Sequence, residues 1–224
     1  MNKLIVALDV PNLKEAETLV KKLSPQVGIF KVGKELFTAA GPGAVAMIHS
    51  HGAKVFLDLK FHDIPNTVAA ACEAASRLGV FMMNVHASGG KKMMQAASAV
   101  NPRPILLGVT VLTSLSEEDL KEVGVQKNLK EQAASLARLA ETSGLDGVVA
   151  SGREISLIRE TCGKKFLIVT PGVRPAWAAQ GDQKRIVTPR EAMTLGADYI
   201  VVGRPITQDP SPAEAAKKIL AEIS

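Results

Sequence analysis

The chain has 224 residues, 46% of them hydrophobic and 22% charged, with a formal net charge of +5. This composition fits a soluble globular protein with one sizeable core; no apolar run is long enough to span a bilayer, so a membrane role is not expected. Six Phe, one Trp and one Tyr, with basic residues spread over many helices, do not make a nucleic-acid stacking surface.

The N-terminal run Leu4–Val10 is interrupted by Asp9, where a signal peptide would stay apolar, so it reads as a first strand in a cytoplasmic protein. A helix over Asn12–Leu23 follows. Ile29–Gly33 is a second strand, with a helix at Gly43–His51. Lys54–Lys60 is the third strand, and Pro65 opens an Ala-rich helix to Leu78. Phe81–His86 is the fourth, followed by a helix over Lys91–Val100. Pro104–Leu112 is the fifth, with helical segments at Glu117–Glu122 and Leu129–Thr142. Gly147–Ala150 and the helix Arg153–Thr161 form the sixth unit.

Phe166–Thr170 is the seventh strand. A long polar connection, Pro171 to Val187, precedes a helix at Pro189–Leu195. Tyr199–Gly203 is the last strand and Ser211–Ile223 the closing helix. The strands are unbroken Val/Ile/Leu runs, as when both faces are covered. Eight such units in one chain of this length predict a single-domain closed (β/α)8 barrel over residues 1–224, with an open doubly wound sheet as the runner-up. Cys72 and Cys162 sit in helical patterns, with no CxxC and no histidine at ligand spacing; they read as free thiols in a reducing compartment.

In a barrel of this kind the chemistry collects at the C-terminal ends of the strands. Those ends carry Asp9, Lys31, Asp58 with Lys60, Asn84 with His86, Thr110 with Thr113, Arg174, and Gly203 with Arg204. The densest stretch is Asp58-Leu59-Lys60-Phe61-His62-Asp63-Ile64-Pro65-Asn66-Thr67. Strand alternation points Asp58 and Lys60 the same way, about 7 Å apart at Cα. A structural ion pair is the plainer reading of one acid and one lysine. The second acid and the charged neighbours at other strand ends argue for a site, because unpaired buried ions cost several kcal/mol each. Gly203 admits an anion close to its amide and Arg204 offers a forked donor, which suits phosphate. The connection holding Gly181, Asp182 and Gln183 is long enough to be a lid.

Taken together, Leu8-Asp9, Phe30-Lys31-Val32-Gly33, Asp58-x-Lys60-x-x-Asp63-Ile64-Pro65-Asn66-Thr67, Leu112-Thr113-Ser114, Pro171-Gly172-Val173-Arg174-Pro175, Asp182-Gln183 and Val202-Gly203-Arg204-Pro205-Ile206 resemble the bacterial type of the orotidine 5′-phosphate decarboxylase family, in order and over the whole chain. The Asp-x-Lys-x-x-Asp element alone is shared with sugar-phosphate lyases of the same barrel group; the other elements narrow the resemblance.

The resemblance implies a cofactor-free, metal-free reaction. Lys60 delivers a proton to C6 of the pyrimidine, beside Asp58 and Asp63. Asp63, Ile64 and Thr67 reach into the site of a second subunit, making a homodimer. Asp9 and Lys31 hold the ribose, Thr113 meets the pyrimidine, Gln183 bridges phosphate and base, and Arg174, Gly203 and Arg204 bind phosphate.

Losing CO2 from C6 leaves a carbanion that the ring π system does not delocalise, so a fixed cation is the expected stabiliser. Repulsion between Asp58 and the substrate carboxylate is worth roughly 4 kcal/mol at ~4 Å and an effective dielectric of ~20, or about three decades in rate. That is small beside the whole barrier, so preorganised charge carries more weight. Two rivals remain on these residues: a metal-dependent sugar-phosphate decarboxylase or aldolase of the same barrel group, and a non-catalytic nucleotide-phosphate binder.

Overall fold

A computed structural model describes residues 3–178 and 186–224. Its strands are β1 (Leu4–Ala7), β2 (Ile29–Gly33), β3 (Lys54–Phe61), β4 (Met82–His86), β5 (Ile105–Val109), β6 (Gly147–Val149), β7 (Leu167–Thr170) and β8 (Tyr199–Val202). Each pairs in parallel with the next, and β8 returns to β1, so the sheet closes into a barrel. The helices are α1 (Leu13–Leu23), α2 (Lys34–Ala40), α3 (Gly43–Ser50), α4 (Pro65–Arg77), α5 (Gly90–Ser98), α6 (Glu117–Glu122), α7 (Leu129–Thr142), α8 (Ile155–Cys162), α9 (Pro189–Leu195), α10 (Arg204–Thr207) and α11 (Pro212–Glu222).

The period-two alternation of the strands produces two cores. Ile5, Ala7, Ile29, Phe56, Met82, Leu107, Val109, Val149, Val169 and Val201 form one cluster, the filled barrel interior. Their strand neighbours, among them Leu4, Val6, Phe30, Val32, Leu57, Val85 and Ile200, join helix residues such as Val20, Ile48, Cys72, Leu136 and Ile219 in the layer between sheet and helices. Every strand is thus apolar on both faces, which is why the strands read as continuous apolar runs.

Helix starts follow the local chemistry. Asn12 accepts a hydrogen bond from the Glu15 amide at α1, and Asn128 does the same for Glu131 at α7. Ser116 with Asp119 and Thr188 with Glu191 form reciprocal capping boxes at α6 and α9, each worth on the order of 1 kcal/mol. At the lower rim, Asp146 and Asp198 precede β6 and β8. Each accepts from the backbone amide of the second residue of the neighbouring strand, Leu106 at 2.7 Å and Ile168 at 2.8 Å. Each is also paired with an arginine, Arg103 and Arg159 respectively.

The expected eight units are present. The structure adds two short helices, α2 and α10, where no helix is expected from sequence, and several strands end one to three residues earlier than expected. Gly181, Asp182 and Gln183 lie outside the described residues.

Candidate active site

β1 and β2 place the first charged pair. Ala7 and Ile29 face the barrel interior, so Asp9 and Lys31 emerge at its upper end. The Lys31 ammonium donates to Asp9 Oδ1 at 2.9 Å and lies 3.3 Å from Asp58 Oδ2. Gly33 leaves room for this: a Cβ there would stand 3.0 Å from both Asp9 Oδ1 and Lys31 Nζ.

β3 supplies the centre. Asp58 is buried and receives the Lys60 ammonium on Oδ1 at 2.6 Å. The geometry behind this contact differs from the regular strand expected. Pairing with β4 runs Leu57 to Met83 and then jumps to Phe61 with Val85, so β3 is bulged. Lys60 sits inside the bulge at φ +54°, a left-handed conformation uncommon for a lysine. The side chains of Asp58 and Lys60 meet as expected, but because the backbone is folded over and not because it is extended.

β4 contributes Asn84, fully buried. Its amide donates to Asp58 Oδ1 at 2.7 Å, and its oxygen accepts from the Lys60 backbone N–H at 2.8 Å. From sequence Asn84 stands at a strand end with no role assigned to it. The signal was its place in the inward-facing set Met82, Asn84, His86.

The electrostatics follow from these contacts. Burial is the largest influence on both Asp58 and Lys31 and opposes their charges. The Lys31 and Lys60 ammoniums, with the hydrogen bonds from Lys60 and Asn84, outweigh it and hold the Asp58 carboxyl below its ordinary range. Asp58 and Asp9 likewise raise Lys31. Both stay ionised at neutral pH. His86 is pushed down to about 4 by burial, then by His62, Lys60 and Lys34, so it is neutral there. The same burial raises the thiols of Cys72 and Cys162 to about 11, leaving both protonated.

Two cavities meet at these residues. The larger, about 530 Å³, is lined by Asp9, Lys31, Gly33, Lys34, Asp58, Lys60, Gly172, Arg174, Gly203, Arg204 and Gln208, among others. The smaller, about 140 Å³, is walled by Phe56, Val109, Val111, Leu112, Thr113, Val149, Ala150, Ser151 and Val201. Lys31, Asp58, Lys60, Pro171 and Val201 belong to both. A charged chamber that opens into a narrow apolar slot can seat a ligand with an anionic tail and a flat ring, with its junction beside the Lys60 ammonium.

The other expected residues fall as follows. Arg174 is buried and, with Gly203, Arg204 and Lys34, walls the larger cavity. Thr113 lines the apolar slot. Asp63, Ile64 and Thr67 line neither cavity and are exposed. Asp63 Oδ1 accepts from the adjacent Ile64 amide at 2.6 Å, and Ile64 is 66% exposed despite its apolar side chain. Lys34, Gln208 and Ser151 were not named as binding residues from sequence; Lys34 and Gln208 belong to the two short helices, or their edges, that the periodic pattern did not reveal. Among the described residues no group of three or more His, Cys, Asp or Glu side chains is placed to hold a metal ion, and no helix is long and apolar enough to cross a membrane.

Comparison with known proteins points the same way as this geometry. The pattern of the "Orotidine 5'-phosphate decarboxylase / HUMPS family" matches residues 2–219. The chain is 58% identical to the orotidine 5′-phosphate decarboxylase of Moorella thermoacetica, over 99% of this chain and 92% of that protein. It is 56% identical to the enzyme of the same name from Trichlorobacter lovleyi, over 99% and 95%. The crystal structure of orotidine 5′-phosphate decarboxylase from Lactobacillus acidophilus covers 100% of both chains, at 40% identity and a TM-score of 0.88. With the match running nearly end to end and the barrel superposing throughout, the chain belongs to the orotidine 5′-phosphate decarboxylase / HUMPS family.

Proposed function

We propose that the chain decarboxylates orotidine 5′-phosphate to UMP in de novo pyrimidine biosynthesis, without metal or organic cofactor. The observation that carries this reading is the Lys60 ammonium, 2.6 Å from Asp58 at the junction of the charged chamber and the apolar slot. A pyrimidine in the slot and a ribose phosphate in the chamber put the C6 edge at that junction.

In the reaction the C6–carboxyl bond breaks, CO2 leaves, and the electron pair stays on C6. Lys60 stabilises that charge electrostatically and then transfers a proton from Nζ to C6, to be reprotonated from solvent. Asp58, held ionised by Lys31, Lys60 and Asn84, fixes the ammonium and repels the departing carboxylate. Arg174, Gly203 and Arg204 take the phosphate, with Gln183 from the connection joining them. Phosphate binding far from C6 then supplies energy for holding the reacting groups in place.

Asp63, Ile64 and Thr67 complete the site of a second subunit in a homodimer. The exposure of the Ile64 side chain and the absence of all three from this chain's cavity walls support that assignment. The second reading, a metal-dependent sugar-phosphate decarboxylase or aldolase, is favoured by the breadth of the matching family. Following the loss of orotidylate absorbance with purified protein in EDTA separates them. Undiminished turnover is expected; no turnover with orotidylate, or turnover abolished by EDTA, contradicts the reading.

A further inference from the structure

We infer that Asn84 is a positioning residue, which sets the Asp58–Lys60 pair through the bulge in β3 without touching substrate. The inference rests on the decarboxylase reading of the same site.

The bulge leaves a gap in the ladder. Between Leu57 and Phe61 the chain of β3 advances four residues while β4 advances two, from Met83 to Val85. The Asn84 side chain fills the gap. Its oxygen takes the Lys60 N–H at 2.8 Å and its NH2 group gives a hydrogen bond to Asp58 Oδ1 at 2.7 Å. The Lys60 ammonium reaches the same Asp58 oxygen at 2.6 Å. The three residues form a closed ring: amide to carboxylate, carboxylate to ammonium, and the lysine's own backbone to amide.

Only a side-chain amide of this length satisfies both ends. Lys60 N–H offers only a proton and the Asp58 carboxylate only lone pairs, so the amide has one usable orientation. Aspartate lacks the donor, leucine lacks both groups, and glutamine is one methylene too long for a fully buried slot. The ring also explains how Lys60 is kept at φ +54°, where a lysine backbone does not settle by itself. Asn84 walls neither cavity, so its effect on chemistry passes through Lys60 and Asp58. The hydrogen bond from Asn84 is one of the influences that keep Asp58 ionised.

The test is steady-state turnover of orotidylate by Asn84→Ala and Asn84→Asp across the pH range where each is folded, with UMP affinity measured alongside. Asn84→Ala is expected to lower kcat roughly hundredfold, the cost of an ångström-scale misplacement, with little change in UMP affinity. In Asn84→Asp the introduced carboxyl lies against Asp58, and two such groups share a proton, so one of them titrates upward. Below that point its O–H restores the donor to Asp58; above it the two charges repel. Its deficit in kcat relative to wild type therefore grows as pH rises. A kcat for Asn84→Ala within about threefold of wild type, or a deficit in Asn84→Asp that is flat with pH, overturns the inference.

A readout free of turnover separates this from failure of the functional reading. The Asp58 carboxyl followed by 13C NMR should titrate at higher pH in Asn84→Ala than in wild type, even if neither protein acts on orotidylate. An unchanged midpoint overturns the positioning role.

Discussion

At the lower rim of the barrel Asp146 and Asp198 each take one arginine and one backbone N–H; at the upper rim Asp58 takes two lysines and a side-chain amide. The lower arginines are saturated. Arg159 also donates to the Gly196 carbonyl at 3.0 and 2.7 Å, and Arg103 to the carbonyls of Ser98 and Gly144 at 3.1 and 3.2 Å. At the upper rim, Lys60 spends its ammonium on one partner among the described residues, leaving two of its three donors toward a cavity. Charged residues occur at both ends of the strands, so their presence alone does not mark a site. Donors left over beside a cavity do.

If that difference is right, the largest effect comes from the upper rim. Lys60→Ala should lower kcat by more than about 10^4-fold, since proton delivery and charge stabilisation are lost together, while UMP binding measured by calorimetry stays near wild type. Near-normal turnover would break the comparison. Subunit exchange sharpens it. Lys60→Ala and Asp63→Ala chains, each inactive alone, should on mixing regain about a quarter of wild-type activity, because half the dimers carry one whole site. Activity that stays at background after exchange, shown by mass, removes Asp63 from the shared site.

The lower rim should respond in stability alone. Arg159→Met strands Asp198 beside the Ile168 amide and is expected to lower unfolding free energy by about 1–3 kcal/mol in urea melts, with kcat unchanged at temperatures where it is folded. A loss of kcat with stability intact would erase the distinction between the two rims. The smallest effect is at His86. Its ring is held neutral, with a folded pKa of about 4 against an ordinary 6.5. The stability this contributes is full above pH 6.5 and is lost as pH falls toward 4, on the order of 1 kcal/mol for a half-buried ring. His86→Gln should flatten that part of the acid limb; an unchanged limb would show that burial and the neighbouring cations do not hold the ring neutral.

Much of this was legible in the residues. The eight strands announce themselves because both faces of each are apolar, and the caps at Asn12, Asn128 and Thr188 mark helix starts by side-chain chemistry. The helices α2 and α10 escaped because seven and four residues are too short to show a period, and Gly33 and Gly203, which precede them, cap with no side chain. The bulge at Lys60 escaped for another reason. Asp58 and Lys60 fall on one face of a regular strand as well, so alternation matches the outcome without revealing the backbone that produces it. Asn84 could not be read as its organiser until β4 was seen to lie opposite that bulge. The exposed run Asp63, Ile64 and Thr67 shows the converse, a motif plain in sequence that lines neither cavity of this chain.

The most direct test is a crystal structure with UMP or a C6-substituted analogue bound. The Lys60 Nζ should stand within hydrogen-bonding distance of the C6 edge, with Asp58 on its other side and the phosphate against Arg204. A Lys60 side chain turned away from C6, or a metal ion in its place, would contradict the fixed ammonium as the centre of the chemistry.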